Sequence, residues 1–303
     1  MAKKTSKKTA AQDEDVSSRI HWKREAKLPE DVVPPEGLVR RRIASFGWHP
    51  DLPDPRDQFF SVAGPVLQAL PTSVDLRPQD CPIYDQGRIG SCTANAIAGA
   101  IQFDRRKLGL SPDFVPSRLF IYYNERSVEG HIGTDSGAQI RDGIKSVHLA
   151  GVCPETEWPY DDTPAQYDGG PFPPGAKEAK KPSPQAYTDA KKYQLVAYQR
   201  LPNVLTQLKG ALAQGYPFVL GFAVFENIYD PSGKPRTNIP LPSGSQPIGG
   251  HAVMAVGYSD SNQQFTIRNS WGTTVGDKGY FYLPYAYVTS YASDFWVIRG
   301  VSH

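Results

Sequence analysis

The stretch Ser91 to Leu108 (Ser-Cys-Thr-Ala-Asn-Ala-Ile-Ala-Gly-Ala-Ile-Gln-Phe-Asp-Arg-Arg-Lys-Leu) limits the fold more than any other part of the 303-residue sequence. Ala94, Ile97, Ala98, Ile101 and Leu108 recur at helical spacing and make one apolar stripe. Arg105, Arg106 and Lys107 complement the negative end of the helix dipole, and Gly109 suits the residue just past that end. So many small side chains let neighbours approach the axis closely, so the helix is expected to be tightly packed. A cysteine stands at its first turn.

Two further helices are expected at about residues 117–126 and 139–149, the second closed by Gly151, and another at 203–214. After a Pro/Gly/Lys-rich loop over about 163–184 the pattern turns to strands. Phe218 to Phe225 and His251 to Tyr258 are short apolar runs fit for burial, Phe265 and Ile267 alternate with polar neighbours, and Gly279 to Leu283 begins another strand. Between the first two, Asn227 to Gly249 is rich in Pro and Gly and reads as a long surface excursion. The chain divides into an extended segment (1–69), a mainly helical unit (70–190) and a mainly β unit (191–303). No internal repeat is visible.

Residues 1–69 hold lysines near the start, then Pro34, Pro35, Pro50, Pro53, Pro55 and Pro65, with little periodicity. Residues 1–19 read as a solvated basic tail. From Ile20 to Phe60 the balance shifts, because Trp22, Phe46, Trp48, Phe59 and Phe60 are costly to leave in water and are expected to dock on the main body. The formal charge of +2, from 33 basic and 31 acidic residues, gives no reason to expect a nucleic-acid or acidic-membrane partner. Phe218 to Phe225 falls far short of the roughly 18 apolar residues of a membrane span, so a soluble protein is expected; a monomer is expected as well. The N-terminus lacks the apolar core of about 7 to 15 residues that a secretory signal carries, which points to a cytoplasmic location or a different export route. Three cysteines, Cys81, Cys92 and Cys153, are too few for a disulfide scaffold and have no metal spacing, so neither metal nor cofactor is expected.

A thiol attacks as thiolate, and the unpaired N–H groups of a helix N-terminus favour that anion. Cys92 stands at that point. The preceding Gln86-Gly87-Arg88-Ile89-Gly90-Ser91 turns tightly and carries a side-chain amide; Gln86 and the Cys92 N–H together can form an oxyanion hole. Taken alone, Cys92 could equally be a small buried hydrophobe. Among six histidines, His21 and His49 lie in the extended segment, His303 is terminal, and His131 and His148 suit structural roles. His251 follows Gly249-Gly250 and opens an apolar strand. If Ser259 and Gln264 close a hairpin, His251 lies opposite a residue near 272, within about three positions of Asn269. The Asn269 carbonyl can then accept from one ring nitrogen while the other faces the thiol, with Trp271 shielding that bond.

Gln86-Gly-x-x-Gly-Ser-Cys92, Gly250-His251-Ala-Val-x-x-Val-Gly-Tyr258 and Arg268-Asn269-Ser270-Trp271-Gly272 together resemble the papain family of cysteine peptidases, from about Leu70 to Val297. Thr-Ala-Asn-Ala after Cys92 and Gly47-Trp-x-Pro-Asp-Leu-Pro-Asp54 are similar to the bacterial, xylellain-like branch. The resemblance implies an α+β, papain-like two-domain fold: a helical left domain, an antiparallel β-barrel right domain, and an active site in the cleft between them. It implies catalytic roles for Cys92, His251, Asn269 and Gln86, hydrolysis through a thioester, and a peptide or protein substrate. Ser136 and Gly137 match the wall that pairs with the substrate backbone, and Gly250 and Trp271 also line the cleft. Asp294 aligns with the floor of the second specificity pocket, where a carboxylate favours a basic side chain; a surface acid is the alternative reading. Gly249 and Gly250 should leave that pocket roomy.

Ile89 stands where the family has a disulfide cysteine, and Thr93 where it has a tryptophan. Cys81 and Cys153 either pair with each other or stay reduced; both are open. The resemblance makes residues 1–69 a propeptide, part of which would lie in the cleft as the enzyme's own ligand. A thiol acyltransferase or isopeptidase, and a catalytically silent binding module, use the same fold and remain alternatives.

Overall fold

The structure is a computed structural model describing residues 46–244 and 246–301. The readings made for the basic tail and for Trp22 lie outside the described residues. In chain order the elements are β1 (Trp48–His49), α1 (Gly64–Gln68), β2 (Ser73–Asp75), α2 (Cys92–Lys107), α3 (Arg118–Glu129), β3 (Ala138–Gln139), α4 (Ile140–Ala150), α5 (Pro184–Ala190), β4 (Leu195–Arg200), α6 (Leu205–Ala213), β5 (Phe218–Val224), β6 (Gly249–Ser259), β7 (Gln264–Arg268), β8 (Tyr280–Pro284), α7 (Tyr285–Tyr291) and β9 (Ala292–Val301).

Every residue of α2 from Cys92 to Arg105 is buried, as its small side chains require. Gly99 shows how close the packing is, since a Cβ there would lie 3.0 Å from the Arg268 guanidinium. The helix ends at Gly109, whose φ of 65° few side chains tolerate. α3 starts at Ser117, whose hydroxyl accepts from the Phe120 N–H at 3.1 Å, and ends at left-handed Gly130. α2, α3 and α4 pack together as the helical part of the fold.

Apart from β1 and β3, the strands form one antiparallel sheet in the order β4-β9-β5-β6-β7-β8, with β2 added against β6. β5 is buried along its whole length, as an unbroken apolar run should be in a central strand. The hairpin of β6 and β7 closes at Ser259 and Gln264, as the sequence indicates. A bulge between Ala255 and Gly257 shifts the register by one, so that His251 projects opposite Trp271 rather than residue 272. α2 crosses the sheet at β6 and β9, which brings Cys92 to the start of β6.

Residues 46–69 belong to the same body. Trp48, Phe60 and Val62 are part of the core, and β1 pairs in parallel with β3. Cys81 and Cys153 are buried free thiols. Among the described residues no helix is long and apolar enough to cross a membrane, and no group of three or more His, Cys, Asp or Glu side chains is placed to hold a metal ion.

Candidate active site

Cys92 occupies the first position of α2, where its own N–H has no carbonyl within the helix to bond. Ser91 does not cap the helix; its hydroxyl bonds to Tyr160 Oη at 2.6 Å and accepts from Asn95 Nδ2 at 3.0 Å. The turn before it is built around Gln86. The Gln86 N–H donates to Ser270 O at 2.8 Å, its side-chain Nε2 donates to Ile89 O at 3.0 Å, and its Oε1 accepts from Ser270 Oγ at 2.7 Å. Tyr160 Oη also donates to Gln86 O at 2.9 Å. The amide is therefore fixed in orientation, and Gly87, with φ at 63°, lets the chain turn beneath it.

His251 Nε2 bonds to Asn269 Oδ1 at 2.9 Å, the Trp271 indole stacks on the imidazole at 4.7 Å and 25°, and Phe222 meets its edge at 5.8 Å. With the hydrogen on Nε2 donated to the amide oxygen, Nδ1 is the basic nitrogen; it is buried and has no hydrogen-bond partner among the described residues. The next residue, Ala252, donates its N–H to Cys92 Sγ at 3.4 Å, which ties the histidine strand to the nucleophile. Thiol, imidazole and amide are thus gathered at one point, together with the Gln86 turn.

Water does not reach this point. Cys92 and His251 are each 0% exposed, because Phe46-Gly47-Trp48 runs across them. The Phe46 ring meets the imidazole edge-on at 6.1 Å, the Gly47 backbone lies beside the Cys92 sulfur, and Gly47 O accepts from the Ala138 N–H at 2.7 Å. Only glycine fits at 47, since a Cβ would lie 1.7 Å from Gly90 O. Burial pushes the Cys92 thiol up to about 12 and the His251 imidazole down to about 4, with the Asn269 bond only partly opposing the latter. In this covered state both groups are neutral.

Gly137 adopts φ at 69° and lies against Gly47, where a Cβ would be 2.0 Å from Gly47 O. The amide bonded to the crossing strand is that of Ala138, while the Gly137 N–H goes to Tyr122 Oη at 3.3 Å. Ser136 O bonds to the His49 ring. Gly250 is buried within β6 opposite Ala223, and Gly249 backs Phe46. Gly249 makes room for Phe46, which would lie 2.6 Å from a Cβ there, and room for Trp48 comes from Gly221, where a Cβ would lie 1.9 Å from the ring. Its only sequence signal was the break it makes in an apolar run.

Asp294 is not a surface acid. It is 2% exposed, and its Oδ2 accepts from Trp48 Nε1 at 3.2 Å and from the Asp51 N–H at 2.8 Å. Arg200 bonds to Asp294 at 3.0 Å and to Asp57 at 3.3 Å, and Arg141 bonds to Asp57 at 3.0 Å. Asp51 in turn accepts from Trp296 Nε1 at 2.8 Å and from the Arg141 N–H at 3.0 Å. Three carboxylates meet two guanidinium groups here, two of the carboxylates coming from the crossing segment.

A buried thiol at a helix start, an amide-oriented histidine and a fixed glutamine amide on this α+β scaffold define a thiol hydrolase site. The sequence matches the papain family of cysteine proteases over residues 70–292, and the chain belongs to that family. It is 38% identical over 285 residues to an uncharacterized peptidase C1-like protein of Acanthamoeba polyphaga mimivirus, covering 85% of this chain and 88% of that one. The structure of xylellain, a cysteine protease from Xylella fastidiosa, is similar with a TM-score of 0.82 and 52% identity, over 86% of this chain and 98% of that chain. Procathepsin B from Trypanosoma congolense shares the fold, with a TM-score of 0.64 at 17% identity over 84% of this chain and 85% of that one.

Proposed function

We propose that this cysteine peptidase is an endopeptidase held shut by its own N-terminal segment. The observation that carries the reading is the complete burial of Cys92 and His251 beneath Phe46-Gly47-Trp48. An extended backbone lying over the nucleophile, bonded to the wall at Ala138, supports a cleft that takes the interior of a peptide chain. With the segment displaced, water returns, the thiol falls from its raised value and the imidazole rises, so that a proton passes from Sγ to Nδ1.

The thiolate then attacks the scissile carbonyl, and the developing oxyanion is met by the Cys92 N–H and the Gln86 Nε2–H not engaged with Ile89. His251 returns its proton to the leaving amine, which departs and leaves a thioester. Water, deprotonated by His251, attacks the thioester; the acid product leaves and Sγ is regenerated. Asn269 keeps the imidazole in the one tautomer that serves both transfers.

The test uses full-length protein and a fluorogenic peptide blocked at both ends. Hydrolysis that appears only as N-terminal residues are lost supports the reading. Equal activity of intact and processed chains would overturn the closure, and cleavage of free-ended peptides alone would overturn the endopeptidase assignment.

A further inference from the structure

Gly90 lies two residues before the nucleophile, and its N–H donates to both oxygens of the Asp135 carboxylate, at 2.9 and 3.0 Å. Asp135 is 3% exposed and also accepts from the Tyr122 hydroxyl. The oxygen of that hydroxyl accepts from the Gly137 N–H at 3.3 Å. Tyr122 is fixed in its turn by the Arg126 guanidinium, which lies 3.9 Å from its ring centroid and donates to Thr134 O at 2.8 Å. One buried carboxylate therefore joins two turns. The first, Gln86 to Ser91, carries the Gln86 amide and leads into Cys92; the second, Thr134 to Gly137, leads into the Ala138 amide that binds the crossing strand.

We propose that Asp135 is a positioning residue for peptide hydrolysis: its carboxylate sets the spacing between the oxyanion donors on one turn and the backbone edge at Gly137 and Ala138 on the other. The inference rests on the peptidase reading of that edge as the wall that holds substrate. A carboxylate suits the task because its charge-assisted bonds are stronger than neutral ones and reach both turns at once. An extended peptide must satisfy both turns together, so its reactive carbonyl feels any change in their spacing. A substrate that reaches only the oxyanion donors does not. Misplacement by about 1 Å can lower a rate by about a hundred-fold.

The experiment compares full-length wild type, Asp135→Ala, Asp135→Asn and Tyr122→Phe, each carried through the processing that activates the wild type and titrated for active thiol. Each is assayed on a blocked tripeptide amide and on a single-residue ester with the same reacting residue. For Asp135→Ala, kcat/KM on the tripeptide is expected to fall about ten-fold or more per titrated site, with the ester changed less than about two-fold. Asp135→Asn keeps an acceptor and should fall between. Tyr122→Phe cuts the Gly137 arm and should change the ratio in the same direction; if Asp135→Ala yields no folded protein, its ratio decides. Equal losses on both substrates, or none on either, would overturn the proposal. A wild type that hydrolyses the ester but not the tripeptide overturns the wall and this inference with it, and one that hydrolyses neither overturns the peptidase reading as well.

Discussion

The Trp48 indole nitrogen donates to the Asp294 carboxylate at 3.2 Å, joining the segment over the active site to the strand that follows α7. The ring lies on the bare backbone of Gly221, and further along the segment the Asp51 N–H donates to the same carboxylate oxygen at 2.8 Å. Closure is therefore anchored beside the nucleophile, in a filled pocket and a charged cluster, while at Cys92 itself Gly47 supplies only backbone.

Removing the anchor should open the site. Trp48→Ala deletes a fully buried indole, a change that costs about 3–5 kcal/mol in a core, so alkylation of Cys92 in the full-length protein should quicken by about a hundred-fold or more. Peptide mapping of a thiol reagent reads this directly. An unchanged rate would place the hold elsewhere.

The same cluster should make closure pH-dependent. Burial first, then the Asp51 charge, raises Asp294 from its ordinary 3.8 to about 8, against the opposing pull of the Asp51 N–H and Arg200. A carboxyl whose pKa is higher in the closed state takes up a proton on closing. That contribution is complete below about pH 4 and is lost as pH rises to about 8. The ratio of Cys92 alkylation rates, full-length wild type over Trp48→Ala, cancels the titration of the thiol and should climb across that window. Asp294→Asn should flatten it, and a ratio that falls with pH would reverse the sign.

Gln86 and Asn269 should separate kinetically. Gln86→Ala removes an oxyanion donor and should lower kcat by about 10²–10³ while leaving the alkylation rate of the uncovered thiol unchanged, since alkylation forms no oxyanion. Asn269→Ala frees the imidazole from its tautomer and should slow both hydrolysis and alkylation. Steady-state kinetics and thiol labelling on the same preparations distinguish the two.

Beneath the nucleophile, Thr93 Oγ1 donates to Glu125 Oε1 at 2.6 Å, and Oε2 has no partner among the described residues. Burial raises this carboxyl well above its ordinary 4.5, so the folded protein retains a proton that the unfolded chain releases. Its contribution to stability is complete below about pH 4.5 and declines as pH rises. Glu125→Gln removes the titration; at pH 8 a gain of about 1 kcal/mol would raise Tm by about 2–4 °C. A lower Tm at that pH would show that the carboxylate form is the one accommodated.

Much of this was legible because the informative residues act through their side chains. The stripe from Ala94 to Ile101 placed α2 to within a residue at each end, and the hairpin closing at Ser259 and Gln264 brought His251 within reach of Asn269. The bulge at Ala255 and Gly257 was not legible, since one extra residue leaves the apolar pattern intact. α7 gives no sequence signal because seven residues are too few to show a helical repeat, and β9 gives none because Asp294, at φ 57°, and the register shift opposite Val219 and Gly221 interrupt its alternation.

The covering segment was half legible. Aromatic residues and prolines mark Ile20 to Phe60 as something that docks; Trp48 and Phe60 do, while Phe59 stays exposed. Gly47, Gly221 and Gly249 set where it docks, and their contribution is an absent side chain. Gly249 is marked in the sequence by its place just before the histidine, whereas Gly221 in the neighbouring strand carries no such mark. Asp135 escaped for a different reason: a lone acid in a loop has no periodicity, and only the fold shows that its carboxylate meets Gly90.

The clamp at Asp135 also changes how the protein can be handled. All three cysteines are unlinked, and the turn that carries Cys92 is tied by hydrogen bonds rather than by sulfur. Dithiothreitol or glutathione, added to keep the nucleophile reduced, has no structural bridge to attack among the described residues. Oxidation and rescue of the single working thiol can therefore be cycled without dismantling the scaffold around it.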